Sequence, residues 1–90
     1  EIVFTPYFQK IRQYESISFS VGIVGNDSEP TYSNITTNSD AVKIVKLSES
    51  NYTITGIAQS EEPVVLEVEV EINGKTTSGQ VVIDAVSMMG

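Results

Sequence analysis

Residues 64–86 read VVLEVEVEINGKTTSGQVVIDAV, and this stretch decides the fold. From Val64 to Ile72, apolar side chains recur at every second position, and glutamates fill most of the positions between them. This period of two is typical of a strand with one buried and one solvated face. Asn73-Gly74 follows, the pair favoured in two-residue type I′ turns. The turn sets the register of a hairpin through these pairs: Ile72 with Lys75, Val70 with Thr77, Leu66 with Val81, and Val64 with Ile83.

Shorter β-type segments precede the hairpin, separated by turn-forming residues. They are Glu1–Phe4, Glu15–Val24, Thr31–Thr37, Ala41–Leu47 and Tyr52–Ala58. We expect Tyr7–Tyr14 to be an extended crossover rather than a helical turn. About seven short strands without a convincing helix predict an all-β fold, a β-sandwich. The predicted core comprises Ile17, Phe19, Val21, Ile54, Val64, Leu66, Val68, Val81 and Ile83.

The composition excludes several kinds of chemistry. The chain has 90 residues, no Cys and no His, so it lacks thiolate nucleophiles, the commonest general base and the commonest zinc ligand. Its net charge of −7 argues against nucleic-acid binding. No apolar run approaches the ~20 residues of a membrane span, so we expect no membrane insertion. We expect no catalytic residue, no cofactor and no metal site.

The glutamates of the predicted hairpin form a row of carboxylates. Glu67, Glu69 and Glu71 are spaced about 7 Å apart along one strand. One interpretation is a cation site or a docking surface for a basic partner. The other, which we favour, is a solvated face that keeps the sheet soluble and discourages edge pairing, because collinear carboxylates do not converge on one ion.

Three aromatic residues near the N-terminus form a possible surface-binding patch. Tyr7, Phe8 and Tyr14 lie close together in sequence, flanked by Lys10 and Arg12. If exposed, they would form a binding patch for a glycan or receptor. The alternative, which we favour, is that they close one end of the sandwich beneath the first crossover.

From Tyr32 onward the chain resembles the bacterial immunoglobulin-like domains of group two. Their pattern runs through an aromatic strand, an S-x-x-x-V-type strand, a v-T-G-v-A step, an alternating strand, a short n-G-k-t turn and a final V-x-V strand. The matching segments are Tyr32, Ser39–Val42, Ile54–Ala58, Val64–Ile72, Asn73–Thr76 and Val81–Ile83. Thr55-Gly56-Ile57-Ala58 is the most specific of these. The chain departs from the pattern at Tyr32, where the family usually has Trp, and at Glu61-Glu62, where it usually has Gly-Thr or Gly-Asp.

The resemblance implies an immunoglobulin-like β-sandwich without catalytic residues. The N-terminal third is more similar to immunoglobulin-like segments appended to bacteriophage tail or head proteins. We therefore expect residues 1–90 to be a single domain excised from a larger protein of a virion or of the bacterial cell surface. Its expected partners are other domains of that protein, and an adhesive role would add cell-surface glycans.

Three function classes follow from these observations. The first is a non-enzymatic accessory domain that provides spacing or weak adhesion. The second is a dedicated carbohydrate- or receptor-binding module that uses the aromatic patch. The third, a hydrolase, predicts turnover that depends on Glu67, and the absence of His and of an S-x-x-K motif weighs against it.

Overall fold

The computed structural model describes residues 1–90 and consists of eight strands joined by turns and loops. The strands are β1 (Ile2–Thr5), β2 (Lys10–Arg12), β3 (Ser16–Ile23), β4 (Tyr32–Thr36), β5 (Val42–Lys46), β6 (Asn51–Gly56), β7 (Val64–Ile72) and β8 (Lys75–Val86). They form two four-stranded sheets, with the orders β1-β3-β6-β5 and β2-β8-β7-β4. If β1 and β2 are counted as one divided strand, this order is that of the immunoglobulin β-sandwich. The predicted fold class is confirmed.

The β7–β8 hairpin has the register that its sequence predicts. Ile72 pairs with Lys75 and Val64 with Ile83, and each glutamate of β7 lies opposite a neutral side chain of β8. Asn73 and Gly74 have φ angles of 54° and 78°. Positive φ at both central residues is the signature of a type I′ turn. The turn therefore fixes which face of the hairpin enters the core.

The expected crossover after β1 is extended, but it also contains a strand of its own. β1 pairs antiparallel with β3 in the first sheet, and after Pro6 the chain passes to the second sheet. There β2 pairs parallel with the last three residues of β8. The structure thus has eight strands instead of about seven, because the crossover makes a short ladder with β8.

Sixteen hydrophobic residues form one core between the sheets. Seven of the nine predicted core residues are among them, but Ile17 and Val81 are only partly buried against the core. Ile17 lies in the part of β3 beyond its pairing with β1, and Val81 lies in the part of β8 beyond its pairing with β2. Each position therefore has a sheet neighbour on one side only, which leaves the side chain partly open to solvent.

The first strand begins, and the last strand ends, at opposite poles of the sandwich. Glu1 lies beside Val24, whose N–H donates to the Glu1 carbonyl at 2.8 Å. The loop after Val24 leads to Thr31, whose N–H donates at 2.9 Å to the carbonyl of Glu71, next to the β7–β8 turn. The other end carries Val86, whose carbonyl accepts from the Gln13 N–H at 3.0 Å. The molecule measures 41 × 19 × 19 Å. Its long axis therefore separates the two chain ends.

Candidate functional site

The carboxylate row lies on the outer face of the second sheet, where the hairpin register places it. Glu67, Glu69 and Glu71 are flanked by Thr36, Asn34 and Tyr32 of β4 and by Gln80, Ser78 and Thr76 of β8. The one side-chain hydrogen bond within the row is donated by Gln80 Nε2 to Glu67 Oε1 at 2.7 Å. No three acidic side chains converge closely enough to hold a metal ion. The chemistry that this geometry offers is a strip of negative charge bordered by hydroxyl and amide groups.

The structure brings Tyr7 and Phe8 to one apolar pocket and places Tyr14 elsewhere. Tyr7 is 71% exposed beside the apolar pocket between β1 and β8, and Phe8 lines the same pocket. The Phe8 ring also packs on Phe4 and Phe19, with centroid distances of 5.6 and 5.1 Å. Tyr14 is 70% exposed at the far side of β2, where its N–H donates to the Gly56 carbonyl at 2.8 Å. Tyr7 and Tyr14 are therefore two exposed aromatic side chains, one before and one after β2 in the chain.

A polar groove crosses the end of the sandwich formed by the β4–β5 and β6–β7 loops. It has a volume of about 340 Å³ and is lined mainly by Thr, Ser and Asn side chains, with Glu62 and Glu67 at its margin. Thr37 and Ser39 hold the first loop through hydrogen bonds to the Val65 carbonyl and from the Ala41 N–H. The sequence did not predict this groove. The turn-forming residues Asn38 and Ser39 are the available signal, but a turn motif does not indicate that two loops meet.

A buried polar network joins the two sheets at their β4 and β5 edges. Ser33 is fully buried, and its Oγ lies 2.6 Å from the Tyr52 hydroxyl and also contacts the backbone carbonyl of Glu49. Because a hydroxyl carries a single hydrogen, Ser33 donates to the carbonyl and accepts from Tyr52. All the polar atoms of this inter-sheet contact are thereby satisfied, as buried groups require.

Lys46 lies on the solvent side of the same edge, where β4 and β5 meet. Its ammonium donates to the Ser33 carbonyl, pairs with Glu49 Oε1 at 2.7 Å and lies 4.7 Å from the centre of the Tyr32 ring. The hydrogen bond with Glu49 raises the pKa of Lys46 above its ordinary value of 10.5. The contact is therefore complete below that pH and is lost as the pH rises through the raised pKa. Tyr32, at the position where the resembling family has Trp, lies on the surface under this ammonium.

The surroundings of Gly56 explain why the T-G-I-A step contains a glycine. A side chain at this position would overlap the backbone carbonyl of Arg12. Gly56 also donates its N–H to the Glu15 carbonyl at 2.8 Å and accepts from the Tyr14 N–H. The β2–β3 turn therefore rests directly on the backbone of β6, and glycine is the residue that leaves room for it.

No protein-family model and no curated protein sequence matches the chain. Among solved structures, the crystal structure of the titin M3 domain is similar, with 13% sequence identity and a TM-score of 0.48. The similarity covers 87% of this chain and 86% of that one. The assignment of the fold rests on the strand order of the chain itself. None of its elements is a helix that is long and apolar enough to cross a membrane.

Proposed function

We propose that the chain is a non-enzymatic accessory module that holds neighbouring parts of a larger protein apart. The observation that carries this proposal is the separation of the chain ends along the 41 Å axis of the sandwich. A domain whose ends emerge at opposite poles adds its full length to whatever is joined to it. The continuous core between the sheets gives such a spacer its stiffness.

A concatemer tests the spacing role. Two and three copies are joined directly, from Gly90 of one copy to Glu1 of the next, and the maximum dimension is measured by small-angle X-ray scattering. The expected increase is close to 41 Å per added copy. Copies joined by a long glycine-serine linker are the control and should show a broader distribution of dimensions. An increase of less than about half a domain length per copy would mean that neighbours fold back on one another and would overturn the spacing role.

We place this module in a virion protein or a bacterial surface protein, as a member of the bacterial immunoglobulin-like domains of group two. The support is the T-G-I-A step, the n-G-k-t turn and the V-x-V strand, which occupy β6, the β7–β8 turn and β8. Its partners are then the adjoining domains of the same protein, on the virion or outside the cell. Determining the sequence that precedes Glu1 in the parent protein tests this setting, because a cytosolic enzyme there would contradict it.

Exposed tyrosines favour a second candidate function, weak adhesion or glycan binding. Tyr7 and Tyr14 are each at least 70% exposed, and tyrosine is enriched at binding surfaces because it combines an apolar ring with a hydroxyl group. A glycan array probed with the wild-type domain, Tyr7→Ala and Tyr14→Ala tests this function. Saturable binding that either substitution abolishes would make the domain a recognition module. Binding that is unchanged in both variants would show that the tyrosines are not part of the binding site.

A further inference from the structure

Three of the four outer margins of the sheets offer little free strand for pairing with another chain. β1 has four residues, is followed by Pro6 and leaves only Ser16–Phe19 of β3 uncovered. β5 carries Lys43 and Lys46, and the Lys46 ammonium also covers the Ser33 carbonyl on the edge of β4. Short length, proline and lysine are the usual means by which edge strands avoid strand addition.

The fourth margin leaves the longest segment uncovered. β2 covers β8 at Asp84–Val86, and the remainder of β8 pairs with β7 alone. The Asp84 N–H donates to the Gln9 carbonyl at 2.9 Å. The backbone N–H groups of the even-numbered residues of β8 therefore point away from β7, toward the side on which β2 lies. By the alternation of an antiparallel ladder, Thr76, Ser78, Gln80 and Val82 direct their N–H and C=O groups to the same side, where the chain supplies no partner. No charged residue and no proline occurs in this segment, residues 76–82.

An apolar pocket adjoins the open segment. It lies between β1 and β8, has a volume of about 130 Å³ and is lined by Ile2, Phe4, Phe8 and Val81 together with Tyr7 and Val24. Val81 belongs to the open segment and is only partly buried. The inward side chains of a strand added beside β8 would therefore face this pocket.

We propose that residues 76–82 of β8 accept an extended strand from a partner protein, which extends the second sheet by one strand. The partner segment has apolar side chains at alternate positions, one of which enters the pocket, and lysine or arginine at the positions between. Its outward side chains lie about 10 Å from the glutamates of β7, two strand spacings away. This distance is close to the Debye length of about 8–10 Å, so salt screens the attraction only in part. Long cationic side chains bring their charges closer still to the glutamates.

Charge favours a cationic partner over a second copy of this chain. The domain has a net charge of −7, so two copies repel each other. A second β8 would also bring neutral Thr76, Ser78 and Gln80 side chains to the outer face, where the added strand needs cations. The inference is independent of the spacing role, since it concerns the side of the sandwich and not its ends.

Synthetic peptides test the proposal without any change to the domain. The probe is an acetylated and amidated seven-residue peptide in which lysine alternates with valine, and its binding is followed by fluorescence anisotropy. In the antiparallel arrangement, which is the more stable one, the lysine N–H groups face β8 and the valine N–H groups face solvent. Methylation of the lysine backbone nitrogens should weaken binding at least about tenfold, since several hydrogen bonds are lost. Methylation of the valine nitrogens is the matched control and should change binding by no more than about twofold.

The domain offers its own matched pair of variants. Gln80→Pro removes an N–H that faces the added strand and leaves the bonds to β7 intact, whereas Gln80→Ala keeps the N–H. Binding should weaken about tenfold in the first variant and about twofold or less in the second. If Gln80→Pro does not fold, amide hydrogen exchange in the wild-type domain replaces it. The Thr76, Ser78, Gln80 and Val82 amides should then exchange more slowly when the lysine-valine peptide is bound.

Three results would overturn the proposal. The first is equal binding of the unmodified peptide and of both methylated peptides, which would mean simple attraction to the glutamates. The second is equal binding of a peptide in which glutamate replaces lysine. The third is a dimer in analytical ultracentrifugation whose Thr76–Val82 amides are protected without peptide, which would assign the edge to a second copy. A loss confined to the valine-methylated peptide would support strand addition in the parallel direction.

Discussion

Ser33 and Tyr52 show how much one buried hydroxyl pair determines in a small sandwich. Ser33 belongs to β4 and Tyr52 to β6, so their hydrogen bond spans the two sheets. Ser33 also holds the β5–β6 turn through the Glu49 carbonyl. The pair thus specifies how the sheets meet at an edge where the apolar core alone would allow sliding.

Removal of the Ser33 hydroxyl should cost more than removal of the Tyr52 hydroxyl. Ser33→Ala removes the partner of the buried Tyr52 hydroxyl and of the Glu49 carbonyl, and should lower the free energy of unfolding by about 1–3 kcal/mol. Tyr52→Phe leaves Ser33 bonded to the carbonyl and should cost about 1 kcal/mol. Urea unfolding measures both.

The control for this pair is Ser18→Ala, on the exposed outer face of β3. Its hydroxyl bonds that of Thr53 at 3.3 Å in contact with solvent, and its loss should change stability by no more than about 0.5 kcal/mol. The double variant of Ser33 and Tyr52 should cost less than the sum of the single variants, because they share one bond. A loss in Ser33→Ala no greater than that in Tyr52→Phe would contradict the network.

Gly56 is the second residue whose identity is set by a contact far along the chain. Gly56→Ala forces the backbone of β6 away from the Arg12 carbonyl, and we expect a loss of about 1–3 kcal/mol, the usual cost of overpacking. Gly22→Ala is the matched control, since a side chain there meets nothing within 4 Å. Its effect should lie between neutral and about 1 kcal/mol of stabilisation. Equal losses in the two variants, measured by urea unfolding, would show that the contact with Arg12 is not what requires glycine.

At the scale of elements, the β7–β8 hairpin accounts for most of what the sequence predicts correctly. Its register follows from two local signals, the period of two in β7 and the Asn73-Gly74 turn, and both are strong because each confirms the other. β2 could not be predicted in this way. A strand of three residues carries no periodicity, and what holds it is a ladder to Asp84–Val86, more than seventy residues further along the chain.

The candidate surfaces also differ in whether the sequence predicts them. The position of the carboxylate row follows from the hairpin and was predictable. The burial of Ser33 was not predictable, because a single serine between Tyr32 and Ile35 gives no local sign that its partner is Tyr52. The open edge of β8 depends on the point at which β2 ends, so it becomes visible only when the whole sheet is assembled.

The carboxylate row should act as a solubilising surface without metal. Substitution of Glu67, Glu69 and Glu71 by Gln should leave the domain folded, with an unchanged or slightly higher thermal midpoint, because neighbouring like charges repel modestly. It also removes three negative charges and should increase self-association. Thermal unfolding is measured with millimolar calcium and with a chelator. A calcium-dependent rise in the wild-type midpoint that the triple variant loses would show that the row binds the ion.

At the scale of the whole molecule, the sandwich combines one core with two unlike outer faces. The strands of the first sheet contain no Asp or Glu, and their outward residues are mainly Ser, Thr and Asn. The strands of the second sheet contain Glu67, Glu69, Glu71 and Asp84. The negative charge outside the loops is therefore confined to one side, which is also the side that carries the open segment of β8. The three glutamates of β7 attract cationic side chains that approach this face, while Lys10, Arg12 and Lys75 lie on the margin strands β2 and β8 of the same sheet.

The parallel pairing of β2 with β8 has a mechanical consequence. When the two chain ends are drawn apart, β2 is pulled toward the β7–β8 turn and β8 toward the opposite pole, so the two strands slide along each other. The bonds of a parallel ladder are evenly spaced and share such a load together. Glu62 lies at the same pole as Val86. A pulling force applied between Gly90 and an attachment point at Glu62 would instead separate β8 from β7 one residue pair at a time. Single-molecule stretching should therefore require a larger rupture force from end to end than between Glu62 and Gly90, and equal forces would show that the ladder bears no load.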